Sequence, residues 1–363
     1  MRILFYCHEI TGGGAERVTS ILVNEFNRRG ETVYLATNLS RPFAFQIDSE
    51  VKLEDLNKNC TLSSGYLNRI KYFIRYRYNI RNIANKVKPD VIIAIMAPMG
   101  CMVTVSTLGL NIPVIICEHT NVSRFISRFY NFRRRLCYPL ASCVTVLTRY
   151  DMAIWRKTHK NVVYMPNPVS LIKYENNGNK EKTVLAAGRV SCWYIKGFDN
   201  LIRSWSHLWH EFPDWKLKIA GLYDQESKNY LDAIIKETKS ENVEYLGFRE
   251  DIDKLMLQSE IFCLSSRVEG LPMVLIEAMN AGCCCVSFDV ITGPREIIKN
   301  NKSGLLANNQ DVVDLEEKLR LVMGNEELRK NYSENAPDSV KRYSTERIIN
   351  RWYILFDRLL NQK

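Results

Sequence analysis

The sequence has no Cys-x-x-Cys pair, no heptad repeat, no low-complexity tract and no acidic residue between positions 66 and 88. Its eleven cysteines are an odd number, and three of them, Cys283, Cys284 and Cys285, are adjacent. Neighbours in a strand face opposite ways, so this run reads as small core filler, neither a disulfide set nor a zinc site, and fits a reducing cytosol. Histidines are few: His207 and His210 lie three apart on a helix beside Trp205 and Trp209 with no third ligand in view, so the pair reads as structural and no metal is expected. Residues 1–7 are too short for the apolar core of a signal peptide and lead into Gly12-Gly13-Gly14, which suits a first buried strand. Residues 91–117 carry no charge and are long enough to cross a bilayer. Pro98, Gly100, Gly109, Asn111 and Pro113 break that stretch into a strand (91–95), loop, short helix and strand (114–117), the pattern of a buried βαβ unit rather than a membrane span.

What is present is enough for two cores: 363 residues, of which 46% are hydrophobic. Apolar runs at 3–6 and 32–36 flank an amphipathic stretch at 15–29 in which Val18, Ile21, Leu22 and Phe26 recur at helical spacing and Gly30 supplies the stop. A polar stretch at 170–182, following Pro166-Asn167-Pro168 and holding Asn176-Asn177-Gly178-Asn179, reads as a domain joint. Alternation then restarts, with strands expected at 183–187, 216–220, 243–246, 261–265 and 284–288. The expected fold is α/β, with an N-terminal Rossmann-like domain (1–166), a C-terminal one (167–340) and a final helical segment (341–363) that can pack on either. Ligands in open sheets of this kind bind at the carboxyl ends of strands.

Charge is uneven. Up to Asn167 there are 23 Lys and Arg against 11 Asp and Glu, and the remainder holds 27 against 29. Residues 66–88 carry seven cations interleaved with Tyr72, Phe73, Ile74, Tyr76 and Tyr78, and residues 124–135 add five among Phe125, Tyr130 and Phe132. Arg69, Lys71, Arg75, Arg77, Arg81, Arg133, Arg134 and Arg135 therefore suit an anionic membrane surface, where each cation contributes roughly 1 kcal/mol; a solvated basic face is the other reading.

The strongest chemical signal is the run from Glu269 through Gly270, Leu271, Pro272, Met273 and Val274 to Glu277, after an apolar strand and at the start of a helix. Pro272 suits the first helical position, leaving Glu269 in the loop and Glu277 on the helix. A helix N-terminus attracts an anion such as phosphate, a carboxylate on the helix can grip a ribose diol, and the loop carboxylate can accept hydrogen bonds from sugar hydroxyls. Gly188-Arg189 and Lys196-Gly197 follow the first strand of the second half, where two cations can neutralise a diphosphate. Gly12-Gly13-Gly14-Ala15-Glu16-Arg17 links a strand to a helix but lacks the third glycine of a dinucleotide fingerprint, and the next strand ends in Thr37-Asn38 without an acid. His119 closes a strand within Glu118-His119-Thr120-Asn121.

In order and spacing these motifs, with Leu246-Gly247-Phe248, Gly293-Pro294-Arg295-Glu296 and Gly304-Leu305-Leu306, resemble the fourth sequence family of glycosyltransferases, retaining enzymes of GT-B fold, over essentially the whole chain. The resemblance implies two Rossmann-like domains facing across a cleft and a UDP-linked nucleotide-diphospho-sugar held mainly by the C-terminal domain. Arg189 and Lys196 would meet the diphosphate, Glu277 the ribose, Glu269 and His119 the donor sugar, Gly247 and Phe248 the base, and Gly12, Gly13 and Gly14 would close over the phosphates. Gly270, Leu271, Met273 and Val274 would line the donor site. It further implies transfer of a hexose or N-acetylhexosamine to a lipid-linked glycan of the cell envelope by a cytoplasmic enzyme peripheral to the membrane, with no cofactor, no metal and no nucleic acid partner. A sugar-nucleotide epimerase on the same fold, or a non-catalytic binder of nucleic acid, are the competing readings. Residues 190–195 make the phosphate loop ahead of Lys196 longer than in many members.

Overall fold

The computed structural model describes residues 1–60, 65–122, 128–171 and 180–361. The Asn176-Asn177-Gly178-Asn179 part of the expected joint, and Arg124 and Phe125 of the second basic segment, lie outside the described residues. The chain forms two compact units, Met1–Pro168 with Glu346–Lys363, and Val169–Thr345.

The first unit runs β1 (Arg2–Tyr6), α1 (Gly14–Arg28), β2 (Thr32–Thr37), β3 (Lys52–Asp55), α2 (Tyr66–Val87), β4 (Val91–Ile95), α3 (Ala97–Ser106), β5 (Val114–Glu118), α4 (Arg128–Cys137), β6 (Cys143–Val146), α5 (Arg149–Trp155) and β7 (Val162–Tyr164). Its sheet is parallel in the order β3-β2-β1-β4-β5-β6-β7. The uncharged stretch 91–117 is the βαβ unit β4-α3-β5, buried because helices cover both faces of a parallel sheet. No helix among the described residues is long and apolar enough to cross a membrane.

The second unit runs β8 (Glu181–Ala187), α6 (Trp193–Lys196), α7 (Phe198–Glu211), β9 (Lys216–Ala220), α8 (Gln225–Thr238), β10 (Val243–Gly247), α9 (Ile252–Gln258), β11 (Ser259–Leu264), α10 (Met273–Asn280), β12 (Cys284–Phe288), α11 (Pro294–Ile297), β13 (Leu305–Ala307), α12 (Val312–Gly324) and α13 (Glu326–Val340). Its sheet is ordered β10-β9-β8-β11-β12-β13. Trp205, Trp215, Phe198 and Phe288 fill its core. Cys283, Cys284 and Cys285 are fully buried, and all eleven cysteines are free thiols.

The last helix, α14 (Thr345–Leu360), buries Ile348, Ile349, Trp352, Leu355 and Phe356. Phe356 and Tyr353 meet Phe26 of α1 at ring distances of 5.5 and 5.7 Å, so the helix belongs to the first unit. Residues 341–345, expected with that helix, stay with the second unit: Val169 N–H donates to Tyr343 at 2.9 Å and Thr345 N–H to Val169 at 3.2 Å, so backbone hydrogen bonds tie the two connecting segments together.

In each sheet the strand order reverses at the middle, between β1 and β4 and between β8 and β11. Loops leaving neighbouring strands diverge there, opening a crevice at the carboxyl ends.

Candidate functional site

At the second unit's reversal point the loop after β8 meets the loop after β11. Residues 190–196 do not form an extended loop but coil into a 3-10 turn, Val190–Cys192, followed by α6. Coiling absorbs the extra length and brings Lys196 back over the strand end, where a Cβ on Gly188 would lie 3.2 Å from the Lys196 stem. Lys196 Nζ then donates to Glu269 Oε1 at 2.8 Å, with the two side chains 25% and 11% exposed. Trp193 stacks on Tyr230 of α8 at 4.0 Å, so within the unit its ring is engaged in packing. Tyr194 is exposed and lies under the guanidinium of Arg267 at 4.3 Å.

Glycines let these loops touch. Gly197 has φ +64°, and a Cβ there would fall 1.9 Å from the Ser265 carbonyl oxygen; on Gly221 one would fall 1.8 Å from the Gly188 oxygen. Ser265 Oγ donates to the Lys196 carbonyl at 2.9 Å, and Arg267 N–H to Ile195 at 2.8 Å. On the far side Thr292 Oγ1 donates to Gly270 at 3.2 Å and bare Gly293 packs against the same carbonyl.

Pro272 is extended at ψ 102° and caps α10 instead of opening it, with Leu275 N–H donating to its carbonyl at 3.2 Å. Leu271 and Met273 are buried, while Val274 and Glu277 are half-buried on the helix. Arg189 is exposed at the end of β8. Gly247 ends β10 with φ +66°, and Phe248 beside it is 63% exposed.

In the first unit Glu16 occupies the glycine loop: its Oε2 accepts from Gly12 N–H at 2.5 Å and Gly13 N–H at 2.9 Å, a helix-capping arrangement. Gly14 is already the first residue of α1. His119 follows β5 and lines a small cavity with Val18, Leu22, Thr145, Asn167, Pro168 and Trp352. Its Nε2 is enclosed with no partner among the described residues, and desolvation lowers its pKa to about 4, leaving a neutral imidazole at neutral pH. The preceding Glu118 is buried and accepts from Thr120 N–H at 2.9 Å, from Arg134 Nη2 at 2.5 Å and from the Tyr138 hydroxyl.

A family model for "Glycosyltransferase Family 4" matches residues 12–172, and one for "Glycosyl transferases group 1" matches residues 171–339. The chain is 29% identical to the GalNAc-alpha-(1->4)-GalNAc-alpha-(1->3)-diNAcBac-PP-undecaprenol alpha-1,4-N-acetyl-D-galactosaminyltransferase of Campylobacter jejuni, over 99% of both chains. It is 30% identical to the amylovoran biosynthesis glycosyltransferase AmsD of Erwinia amylovora, over 94% of this chain and 95% of that one. This chain belongs to glycosyltransferase family 4. The structure of Anabaena HepE in complex with UDP superposes on this glycosyltransferase with a TM-score of 0.81 at 18% identity, covering 99% of this chain and 100% of that one, which gives both units their place in the GT-B fold.

The structure divides the glycosyltransferase's basic residues into two sorts. Arg69, Lys71 and Arg75 are exposed on α2 among Tyr66, Leu67, Ile70, Phe73, Ile74 and Tyr78, and Arg135 is exposed on α4 beside Phe132 and Leu136, with Arg133 half-buried. Arg134, expected on the same surface, is only 1% exposed: it pairs with Glu118 and lies against Tyr130 and Trp155 at 4.4 and 5.3 Å, because α4 turns that side inward. Arg81 donates to the carbonyls of Ser106 and Leu108 at 3.0 and 2.9 Å, which ties it to the end of α3, and Arg77 donates to Ser106 Oγ at 3.3 Å. His207 pairs with Glu316 at 2.9 Å and His210 packs on Trp209. Among the described residues no three His, Cys, Asp or Glu side chains converge as metal ligands.

Sequence reading overlooked Asp199, Asn200 and Arg267. Arg267 stands two places before Glu269 and Asp199 in the first turn of α7, positions that read as ordinary surface charge until the loops are folded together.

Proposed function

We propose that this glycosyltransferase moves a hexose or N-acetylhexosamine from a UDP-linked donor to a lipid-linked envelope glycan on the cytoplasmic side of a membrane, with retention of anomeric configuration and without a metal or cofactor. The observation that carries the donor site is the Lys196–Glu269 pair at the β8/β11 reversal point, just ahead of α10. The Campylobacter relative, named for an undecaprenol-PP glycan, supports a lipid-linked acceptor, and the UDP in HepE supports the base.

In this reading Arg189, Lys196 and the positive end of α10 surround the diphosphate, and Glu277 accepts from the ribose hydroxyls. As the bond from the sugar's anomeric carbon to the β-phosphate oxygen breaks, the electron pair goes to that oxygen and the cations stabilise the new charge, the task a divalent cation would otherwise perform. The acceptor oxygen bonds the same carbon from the same face and passes its proton to the departing β-phosphate oxygen. Glu269, hydrogen-bonded to Lys196, orients sugar hydroxyls rather than attacking carbon. His119, neutral, offers hydrogen bonds without charge, and Gly12 and Gly13 would release Glu16 to meet phosphate.

The exposed apolar and cationic side chains of α2 and α4 support contact with an anionic membrane, since aromatics enter the interface while cations meet headgroups. A thermal-shift panel of sugar nucleotides tests the donor reading: saturation at 100 times the dissociation constant adds about 2.7 kcal/mol. UDP-sugars should raise the midpoint, and a panel without any shift would overturn the reading.

A further inference from the structure

We propose that Arg267, held by Asp199, is a positioning residue that sets the separation of Lys196 and Glu269. The inference rests on the function proposed above. Arg267 Nη1 donates to Asp199 Oδ1 at 2.7 Å and to the Tyr194 carbonyl at 2.7 Å; Nη2 donates to Asp199 Oδ2 at 2.8 Å and to Asn200 Oδ1 at 3.0 Å. Its own N–H donates to Ile195 at 2.8 Å, and its guanidinium covers the Tyr194 ring. Every one of these partners lies within four residues of Lys196, while Arg267 itself is two residues from Glu269.

The fork therefore bolts the loop bearing the cation to the loop bearing the carboxylate. Guanidinium and carboxylate meet in the planar two-bond geometry that fixes angle as well as distance, with the pair 19% and 12% exposed. Pro272 caps α10 without a side-chain hydrogen bond. A surface ion pair kept only for stability would have no need of two further acceptors on the loop opposite. Reacting groups must be held within about 0.5 Å, and an error of ~1 Å costs on the order of 100-fold in rate.

The test uses the full chain and the donor found in the thermal-shift panel, with kcat, KM, the calorimetric donor Kd and the thermal midpoint measured for Arg267→Lys, Asp199→Asn and Asp199→Glu. Lysine keeps the charge and loses the fork, so Arg267→Lys and Asp199→Asn should lower kcat by about 10- to 100-fold while the folded fraction at the assay temperature stays unchanged. Asp199→Glu, which retains two acceptor oxygens, should recover part of the loss seen in Asp199→Asn. A kcat within about twofold of the unaltered chain in Arg267→Lys, or a loss that only follows the unfolded fraction, would overturn this inference alone. Absence of transfer by the unaltered chain with any sugar nucleotide would overturn both it and the donor reading.

Discussion

Glu118 and Arg134 form an ion pair in which each side chain is 1% exposed, with Arg134 Nη2 2.5 Å from Glu118 Oε2. Two charges removed from water are tolerable together and costly apart. Arg134→Ala should therefore destabilise the protein by about 3 to 5 kcal/mol, because the carboxylate is left buried and unpaired, while replacing both by apolar residues of similar volume should cost much less. Denaturant unfolding of the two single variants and the double variant measures the difference; a double-variant loss equal to the sum of the two single losses would show that the pair is not coupled.

His119 makes stability depend on pH with a definite sign. Its folded pKa of about 4 lies below the ordinary 6.5, so beneath pH 6.5 the unfolded chain binds a proton that the folded chain does not. Its contribution is constant above pH 6.5, falls as pH drops towards 4 and levels off below. His119→Asn should flatten that part of the stability profile, as read from urea midpoints at pH 7, 5.5 and 4.5. The same slope in both proteins would remove the desolvated imidazole as its cause.

At the donor site, Glu277→Ala and Arg189→Ala should each reduce transfer by about 10- to 100-fold, the equivalent of one charge-assisted hydrogen bond of roughly 1.5 to 3 kcal/mol. Circular dichroism should show an unchanged fold. Full activity in both variants would dismiss the assignment.

Chelation separates two ways of stabilising the leaving diphosphate. With Arg189, Lys196 and α10 supplying the positive charge, EDTA should leave the rate within experimental error. Loss of transfer in EDTA with recovery on adding magnesium would show that a metal does the work.

For membrane contact, changing the exposed Arg69, Lys71 and Arg75 to Gln should weaken binding to anionic vesicles by about two orders of magnitude at low salt, at roughly 1 kcal/mol per cation. Vesicle sedimentation reads the change, and undiminished binding would place the contact elsewhere. Arg134 has no part in this set, being inside the fold.

Much of the architecture could be read from local pattern. The strands at 216–220, 284–288 and 91–95 match the folded elements, since an uninterrupted apolar run between turn residues signals its own burial. Strands β3, β6, β7 and β13 did not stand out because they are three or four residues long, too short for a period to appear. The Glu16 cap was legible in principle, as a glutamate three residues after Gly13 marks a helix start.

By itself the sequence determined the alternation that yields two parallel sheets, and the order of motifs that sends Gly12, Arg189 and Glu269 to strand ends. These are properties of windows a few residues wide, where backbone sterics and apolar spacing act. Tertiary structure alone decided which charges meet: Lys196 with Glu269 across 73 residues, Arg267 with Asp199 across 68, and Arg134 inward against Glu118. A cation's type and spacing do not reveal whether water or a carboxylate will face it, because that depends on the direction the folded backbone gives its side chain and on what the opposite loop brings within 3 Å.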